Sequence, residues 1–326
     1  MNSNITHQLA NFARHLRKTK RLRASFVLAE FKKIPWHRII IRGEKLFLAG
    51  NEEFALNDSK RFFILRALCL LDDLICDQGL TILKLHESRL DVNVCGVTLH
   101  LETWEDVYIV HEIFHCGEYE FALRNDCRVI DVGANIGVAS LYFASNPFVV
   151  SIDSYELVPA TASRFSDNLN LNPNLAAKIT LYSHGLAKDQ RTLEIDYYPD
   201  LKGSMGIEGI AERASQLNLL GRAKTRVQVS VKDAVSAFNQ VVSQNPQLPV
   251  LAKIDCEGAE YEIIDALDSA GILEKIDVFV IEWHERGPDS IRKKLEKSGH
   301  FVILKSAARN HHGVMCSFRR SEIQAS

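Results

Sequence analysis

The nine residues from Val129 to Gly137 read VIDVGANIG, a short apolar run that meets an aspartate, turns through two glycines and opens a helix. A strand this apolar is buried on both faces, which is the habit of a parallel sheet covered by helices. In such sheets ligands bind beyond the carboxyl ends of the strands, where this turn lies. Gly133 would let the backbone approach a ligand with no Cβ in the way. Gly137 would let the new helix pack close to the strand. The turn is not the dinucleotide fingerprint Gly-x-Gly-x-x-Gly, because Asn135 stands where the middle glycine belongs. Asp131 also brings a carboxylate to the loop. That suits a cationic or amino-bearing ligand better than a diphosphate.

The alternation continues from there. Apolar runs at Val149–Tyr155, 179–183, Val250–Ile254, 278–282, 301–304 and 314–318 are separated by helical stretches. This predicts a mainly parallel sheet layered with helices. The segment 193–231 breaks the rhythm with two strand-like runs, 193–197 and 226–231, around a polar stretch containing Gly203-Ser204-Met205-Gly206. It reads as an insertion near the ligand-binding face. The second strand ends in Glu156, 23 residues after Gly133. An acid about 20 residues past the glycine turn is placed to bind ribose hydroxyls. Asp153 is the rival if the strand ends earlier. Either way a nucleoside cofactor is expected.

Charge and cysteine content narrow the class. The whole chain carries −2, but residues 1–34 hold eight Lys/Arg and one acid, a net of +7, which leaves −9 for the rest. An acidic main body is a poor partner for a phosphate backbone, so no nucleic acid is expected. The seven cysteines are odd in number and scattered, with no CxxC, which points to free thiols and a cytoplasmic protein. No apolar run reaches the ~18 residues needed to cross a bilayer. Within 5–33, Ile5, Leu9, Phe12 and Leu16 fall at helical spacing, with Arg14, Arg17 and Lys18 on another face. This basic helical segment is expected to be a packed surface helix, with peripheral membrane contact as the second reading. Residues 35–100 predict a small α+β region: a hairpin from 38–42 and 45–48, a helix over 59–76, and strands at 81–86, 89–94 and 97–101.

At this point four blocks resemble the FkbM family of S-adenosylmethionine-dependent methyltransferases. They are VIDVGANIG at 129–137, then Tyr155-Glu156 with Asn168 and Asn170-Leu171-Asn172, then LAKIDCEGAEYEII at 251–264, and VFVIEWHE at 278–285. The third is similar to the family's K-I-D-x-E-G-A-E signature. The segment Glu105–Tyr119 resembles the helices that lead into the domain. The chain departs from the family pattern at Leu157, where a proline often follows the acid, and at Val231-Lys232, where Leu-Asp is frequent. The resemblance implies a Rossmann-like class I methyltransferase sheet of seven mostly parallel strands over residues 101–320, with the α+β region as an N-terminal extension. It implies S-adenosyl-L-methionine as cofactor. It also implies an acceptor hydroxyl on a sugar, glycolipid or natural product.

Methyl transfer from a sulfonium is an in-line displacement, so the protein must position the acceptor and, for a hydroxyl, take up its proton. Asp131, Gly133, Asn135, Gly137, Glu156, Asp255 and Glu257 are the expected cofactor-binding residues. Lys253, Asp255 and His284 are the expected catalytic ones. His284 is preferred as general base, because imidazole titrates near neutrality. Asp255 is its rival. Lys253 either orients a substrate oxygen or pairs with Asp255. Asp255, Glu257, Glu282 and His284 have the chemistry to hold a hard divalent ion, but hydrogen bonding is the commoner fate of such groups and no metal is expected. His311-His312 is read as a loop or edge-strand pair. Cys256 is not expected to be a nucleophile. The alternatives are a nicotinamide-dependent oxidoreductase, which Asn135 disfavours, and a noncatalytic binding module on the same fold.

Overall fold

The computed structural model describes residues 62–86, 88–120, 125–207, 209–210, 223–305 and 312–319, with 39–42, 45–48, 52–55 and five positions between 11 and 17. The basic helical segment read over 1–34, and its membrane contact, therefore lie almost wholly outside the described residues. The chain divides into two compact units, Met1–Gly117 and Glu118–Ser326.

In the first unit, β1 (Ile39–Arg42), β2 (Lys45–Leu48) and β3 (Glu52–Ala55) form an antiparallel meander. Arg42 faces Lys45 across the two-residue link that the sequence marks as a hairpin. Two helices follow, α1 (Phe62–Arg66) and α2 (Leu68–Gln78). Gly79, in the left-handed region at φ 64°, ends α2, as glycine commonly does. A second meander contains β4 (Thr81–Leu85), β5 (Leu90–Val94) and β6 (Val97–Leu101). Leu90, Val92, Val94, Val97, Leu99 and Leu101 are all fully buried, so one face of β5 and β6 is core. Helix α3 (Trp104–Val110) starts with a capping box between Thr103 and Asp106 and continues into a π-helical turn, His111–His115.

The second unit is built on a seven-stranded sheet. Its strands are β7 (Cys127–Val132), β8 (Val149–Tyr155), β9 (Ile179–Tyr182), β15 (Val250–Ile254), β16 (Val278–His284), β17 (His300–Leu304) and β18 (His312–Arg319). The order is β17-β18-β16-β15-β7-β8-β9. All pairs are parallel except those made by β18, which runs against both β16 and β17. Every residue of β7 and of β15 is buried, as the continuous apolar runs require. The chain moves outward one way from β7 and the other way from β15, so a crevice opens between their carboxyl ends.

Helices α4 (Val138–Ser145), α5 (Pro159–Asn170), α6 (Pro173–Ala176), α7 (Ala234–Gln244), α8 (Glu260–Ser269) and α9 (Asp289–Lys297) complete the unit. Helix α8 buries Glu260, Tyr261, Ile263, Ile264 and Leu267, one face at helical spacing. Tyr261, Ile263, Ile264 and Leu267 join Phe238, Phe279, Ile281 and Trp283 in a single apolar cluster. Each large side chain there contributes about 1.5–3 kcal/mol.

The segment that interrupts the alternation stays out of the main sheet. Strand β10 (Gly185–Ala187) pairs in parallel with β14 (Thr225–Asp233), and β14 pairs antiparallel with β11 (Arg191–Tyr197) over seven residues. A two-residue ribbon, β12 (Met205–Gly206) with β13 (Gly209–Ile210), lies between β11 and β14 in the chain. No helix among the described residues is long and apolar enough to cross a membrane.

Candidate active site

The crevice floor is a charge pair. Asp131, at the end of β7, is fully buried, and its Oδ2 accepts the Ser140 hydroxyl at 2.6 Å. The Ser140 hydroxyl lies 2.8 Å from that of Ser154. Oδ1 of Asp131 is 3.1 Å from Nζ of Lys253, which reaches across from the neighbouring β15. The same ammonium donates to the Gly133 carbonyl at 2.6 Å and lies 3.6 Å from the Asp255 carboxylate. Burial disfavours its charge, but Asp131 and Asp255 outweigh burial and hold Lys253 above the usual lysine range. The pairing with Asp255 read for Lys253 is present, with Asp131 as the closer partner.

The turn after β7 is held from three sides. Gly133 and Ala134 both donate N–H to the Tyr155 carbonyl at 3.0 Å. Gly133 has φ 79°, and an ideal Cβ there would fall 1.7 Å from the Asp255 carbonyl oxygen. The glycine is thus required by the chain's own backbone, a neighbour the sequence does not reveal. Asn135 also has positive φ, 51°, which asparagine tolerates better than most residues. Its Oδ1 is buried and makes no hydrogen bond. Gly137, at φ 87°, begins α4, and a Cβ there would strike the ring of Phe165 on α5. Its close packing is therefore against a helix, where the sequence reading had the strand. Asn168 of α5 donates to the Ile136 carbonyl at 2.9 Å.

Glu156 follows β8 directly and turns back to this loop. Its two oxygens accept N–H from Asn135 at 2.8 Å and from Val158 at 2.9 Å. Burial raises its pKa to about 7, against the opposing effect of those two donors. Asp153, the rival acid, lies within β8 and accepts the Tyr182 hydroxyl at 3.1 Å. Glu156 is the acid beside the turn.

The other wall comes from β15 and β16. Asp255 is the more open group, with its side chain 24% exposed, and accepts the Tyr119 hydroxyl at 3.1 Å. Glu257 adopts φ 51° just before Gly258 at φ 108°. A Cβ on Gly206 would fall 2.2 Å from the Glu257 carbonyl oxygen, so the β12 turn is seated on this segment. That places the 193–231 insertion at the site, as expected. Glu260 is fully buried and accepts backbone N–H from Gly258 at 2.7 Å and His284 at 2.8 Å.

His284 closes β16 with its side chain 1% exposed. Nδ1 lies 3.3 Å from Glu260, and Nε2 lies 3.3 Å from Glu282 and 3.5 Å from Glu257. Burial pulls its pKa down, but the carboxylates of Glu260, Glu282 and Glu257 push it up to about 11. A shift in this direction works against the expected role of general base. Cys256 is raised well above the ordinary thiol range, chiefly by burial, and stays protonated. His312 opens β18 opposite His284, and His311 lies outside the described residues.

Tyr119 is not singled out as a site residue by the sequence, and Glu260 is grouped there with Lys253, Asp255 and Glu257 but given no role of its own. Tyr119 meets Asp255 across 136 positions, which no local pattern signals. Glu260 is visible only as part of the K-I-D-x-E-G-A-E block. Asp255, Glu257 and His284 each present a possible ligand atom within 4.8 Å of the others, and so do Asp73, His111 and His115 in the first unit.

The chain is 28% identical over 210 residues to Methyltransferase 1 of Beauveria bassiana, covering 61% of this chain and 82% of that protein. It is 29% identical over 212 residues to Methyltransferase sdnD of Sordaria araneosa, covering 59% and 79%. Among solved structures it is similar to the methyltransferase FkbM of Methylobacillus flagellatus, at 14% identity and a TM-score of 0.39, covering 65% of this chain and 53% of that one. The family profile described as the methyltransferase FkbM domain matches residues 131–303, more than half the chain. The chain belongs to the FkbM family of S-adenosylmethionine-dependent methyltransferases.

Proposed function

We propose that this methyltransferase acts on a hydroxyl oxygen of a small-molecule or glycan acceptor, such as a sugar, glycolipid or natural product. The observation that carries the reading is the Asp255 carboxylate, partly open at the end of β15 and steered by Tyr119 and Lys253. A hydroxyl acceptor must lose a proton, and Asp255 is placed to take it.

The loop side fits the cofactor. The buried, unpartnered Oδ1 of Asn135 calls for a donor from a ligand. Glu156 retains lone pairs for ribose hydroxyls beyond the two N–H groups it accepts. In this proposal Asp131, Gly133, Asn135, Gly137 and Glu156 hold the nucleoside end, and Asp255 and Glu257 border the methyl end. The bound cofactor supplies an already activated methyl group. Lys253 is a positioning residue that ties the loop to Asp255. His284 lies against Glu257, Glu260 and Glu282 on the acceptor side of the crevice. The cytoplasmic assignment belongs to the same proposal and is supported by seven cysteines that form no disulfide.

The test is to offer methyl-labelled cofactor with a panel of sugars, glycolipids and polyketide alcohols and to locate the label by NMR. A methyl ether supports the proposal. Label on nitrogen or carbon of the preferred acceptor overturns it.

A further inference from the structure

We infer that Asp255, Glu257 and His284 form a binding site for one divalent cation of the Mn²⁺ or Mg²⁺ type. Three features of the geometry carry this. Each residue offers one ligand atom, and the three atoms lie within 4.8 Å of one another. That spread lets a single ion touch all three at about 2.0–2.5 Å.

The second feature is the state of His284 Nε2. It is buried and forms no hydrogen bond. It lies 3.5 Å from a Glu257 oxygen and 3.3 Å from a Glu282 oxygen. Both separations exceed the usual N–H···O range of about 2.7–3.2 Å. They match adjacent corners of a coordination shell, in which ligand atoms surround a common point and do not bond one another. Nδ1, on the far side of the ring, lies against Glu260, the carboxylate behind a ligating histidine that fixes its ring.

The third is backbone placement. Glu257 is held at φ 51° by a turn whose next residue, Gly258, is at φ 108°. This turn brings Glu257 alongside Asp255 at one end of the crevice, two positions apart in the chain. One imidazole with two carboxylates suits Mn²⁺ or Mg²⁺ better than the thiolate-loving ions. Three protein ligands leave coordination positions open. An acceptor oxygen bound there would be polarised next to Asp255. That role rests on the hydroxyl-acceptor reading above; the binding of the ion does not.

The rival cluster of Asp73, His111 and His115 must be separated in the test. Full-length protein is titrated with Mn²⁺ and free ion is followed by electron paramagnetic resonance, with S-adenosylhomocysteine present. One tight equivalent is expected, together with nitrogen modulation in the spin echo from one imidazole. Glu257→Gln and His284→Gln should each weaken binding at least tenfold, while His115→Ala leaves it unchanged. A thermal shift with S-adenosylhomocysteine shows that each variant is folded. If a variant does not fold, the nitrogen modulation measured in the His115→Ala protein decides in its place. No bound Mn²⁺, binding indifferent to Glu257→Gln and His284→Gln, or binding lost in His115→Ala overturns the site. A nucleoside response without Mn²⁺ binding overturns the ion and leaves the methyl-transfer reading standing. Mn²⁺ binding with label on nitrogen or carbon supports the ion and removes the acceptor reading.

Discussion

Gly133 and Asp255 touch backbone to backbone: an ideal Cβ on Gly133 would lie 1.7 Å from the Asp255 carbonyl oxygen. The contact joins the turn after β7 to the segment after β15. Gly133→Ala must push the two apart and hold a side chain at φ 79°. The left-handed conformation by itself costs about 1–3 kcal/mol. The expected result is a lower melting temperature together with at least tenfold weaker S-adenosylhomocysteine binding by calorimetry. Normal nucleoside binding in this variant would show that the turn does not form the cofactor site.

On the proposed reading, cofactor binding is expected to depend on pH through Glu156. Its folded pKa is about 7, above the carboxylate's ordinary 4.5. Ribose hydroxyls donate to the ionised form, so binding should strengthen as pH rises through about 7 and level off above it. At about pH 6 roughly nine tenths of the free protein is protonated there, which weakens affinity about tenfold. Stability of the ligand-free protein runs the other way. A raised acid stabilises the fold fully below the unfolded pKa, and this contribution is lost as pH rises from about 4.5 to 7. Calorimetry at several pH values checks the first statement and thermal melts check the second. Glu156→Gln should remove both dependences.

Lys253→Met leaves Asp131 buried with its ammonium partner gone. Removing one partner of a buried pair destabilises by about 3–5 kcal/mol. Denaturant unfolding should show that loss, and Lys253→Arg, whose bulk and fork do not match the 2.6 Å contact to the Gly133 carbonyl, should recover only part of it. A loss under about 1 kcal/mol would mean that the pair is solvated.

Asp255→Asn keeps the shape at the mouth of the site and removes the proton acceptor. The expected outcome is a fall in kcat of about 10²–10⁴ with S-adenosylhomocysteine affinity changed by less than threefold. Tyr119→Phe removes one hydrogen bond to the same carboxylate, and its effect should be about tenfold, visible as a shift in the pH profile of kcat/KM. Unchanged kcat in Asp255→Asn would move the base elsewhere.

Much of the second unit is legible in the sequence because parallel strands are buried on both faces and write continuous apolar runs. Val129–Val132 and the run 278–282 lie inside strands that extend only two residues further, Cys127–Val132 and Val278–His284. The acid at Glu156 is legible from its spacing to Gly133. Other relationships depend on which strands become neighbours, and periodicity carries no such information. Tyr119 reaches Asp255 from outside the sheet, and Gly206 settles on Glu257 from the insertion. His284 shows a further limit. Its residue type suggests a base, but the upward pKa shift follows from three carboxylates that converge only after β15 and β16 pair.

Lys253 spans the crevice, bound to Asp131 and the Gly133 carbonyl on one bank and near Asp255 on the other. In the proposed site, one ammonium thus sets a fixed gauge between the methyl-donor side and the acceptor side. Drift in the sequence beneath it would misalign both at once. The β10-β14-β11 sheet contributes no residue to these contacts, whereas the turn at Gly206 rests directly on Glu257 and is bound to the same spacing.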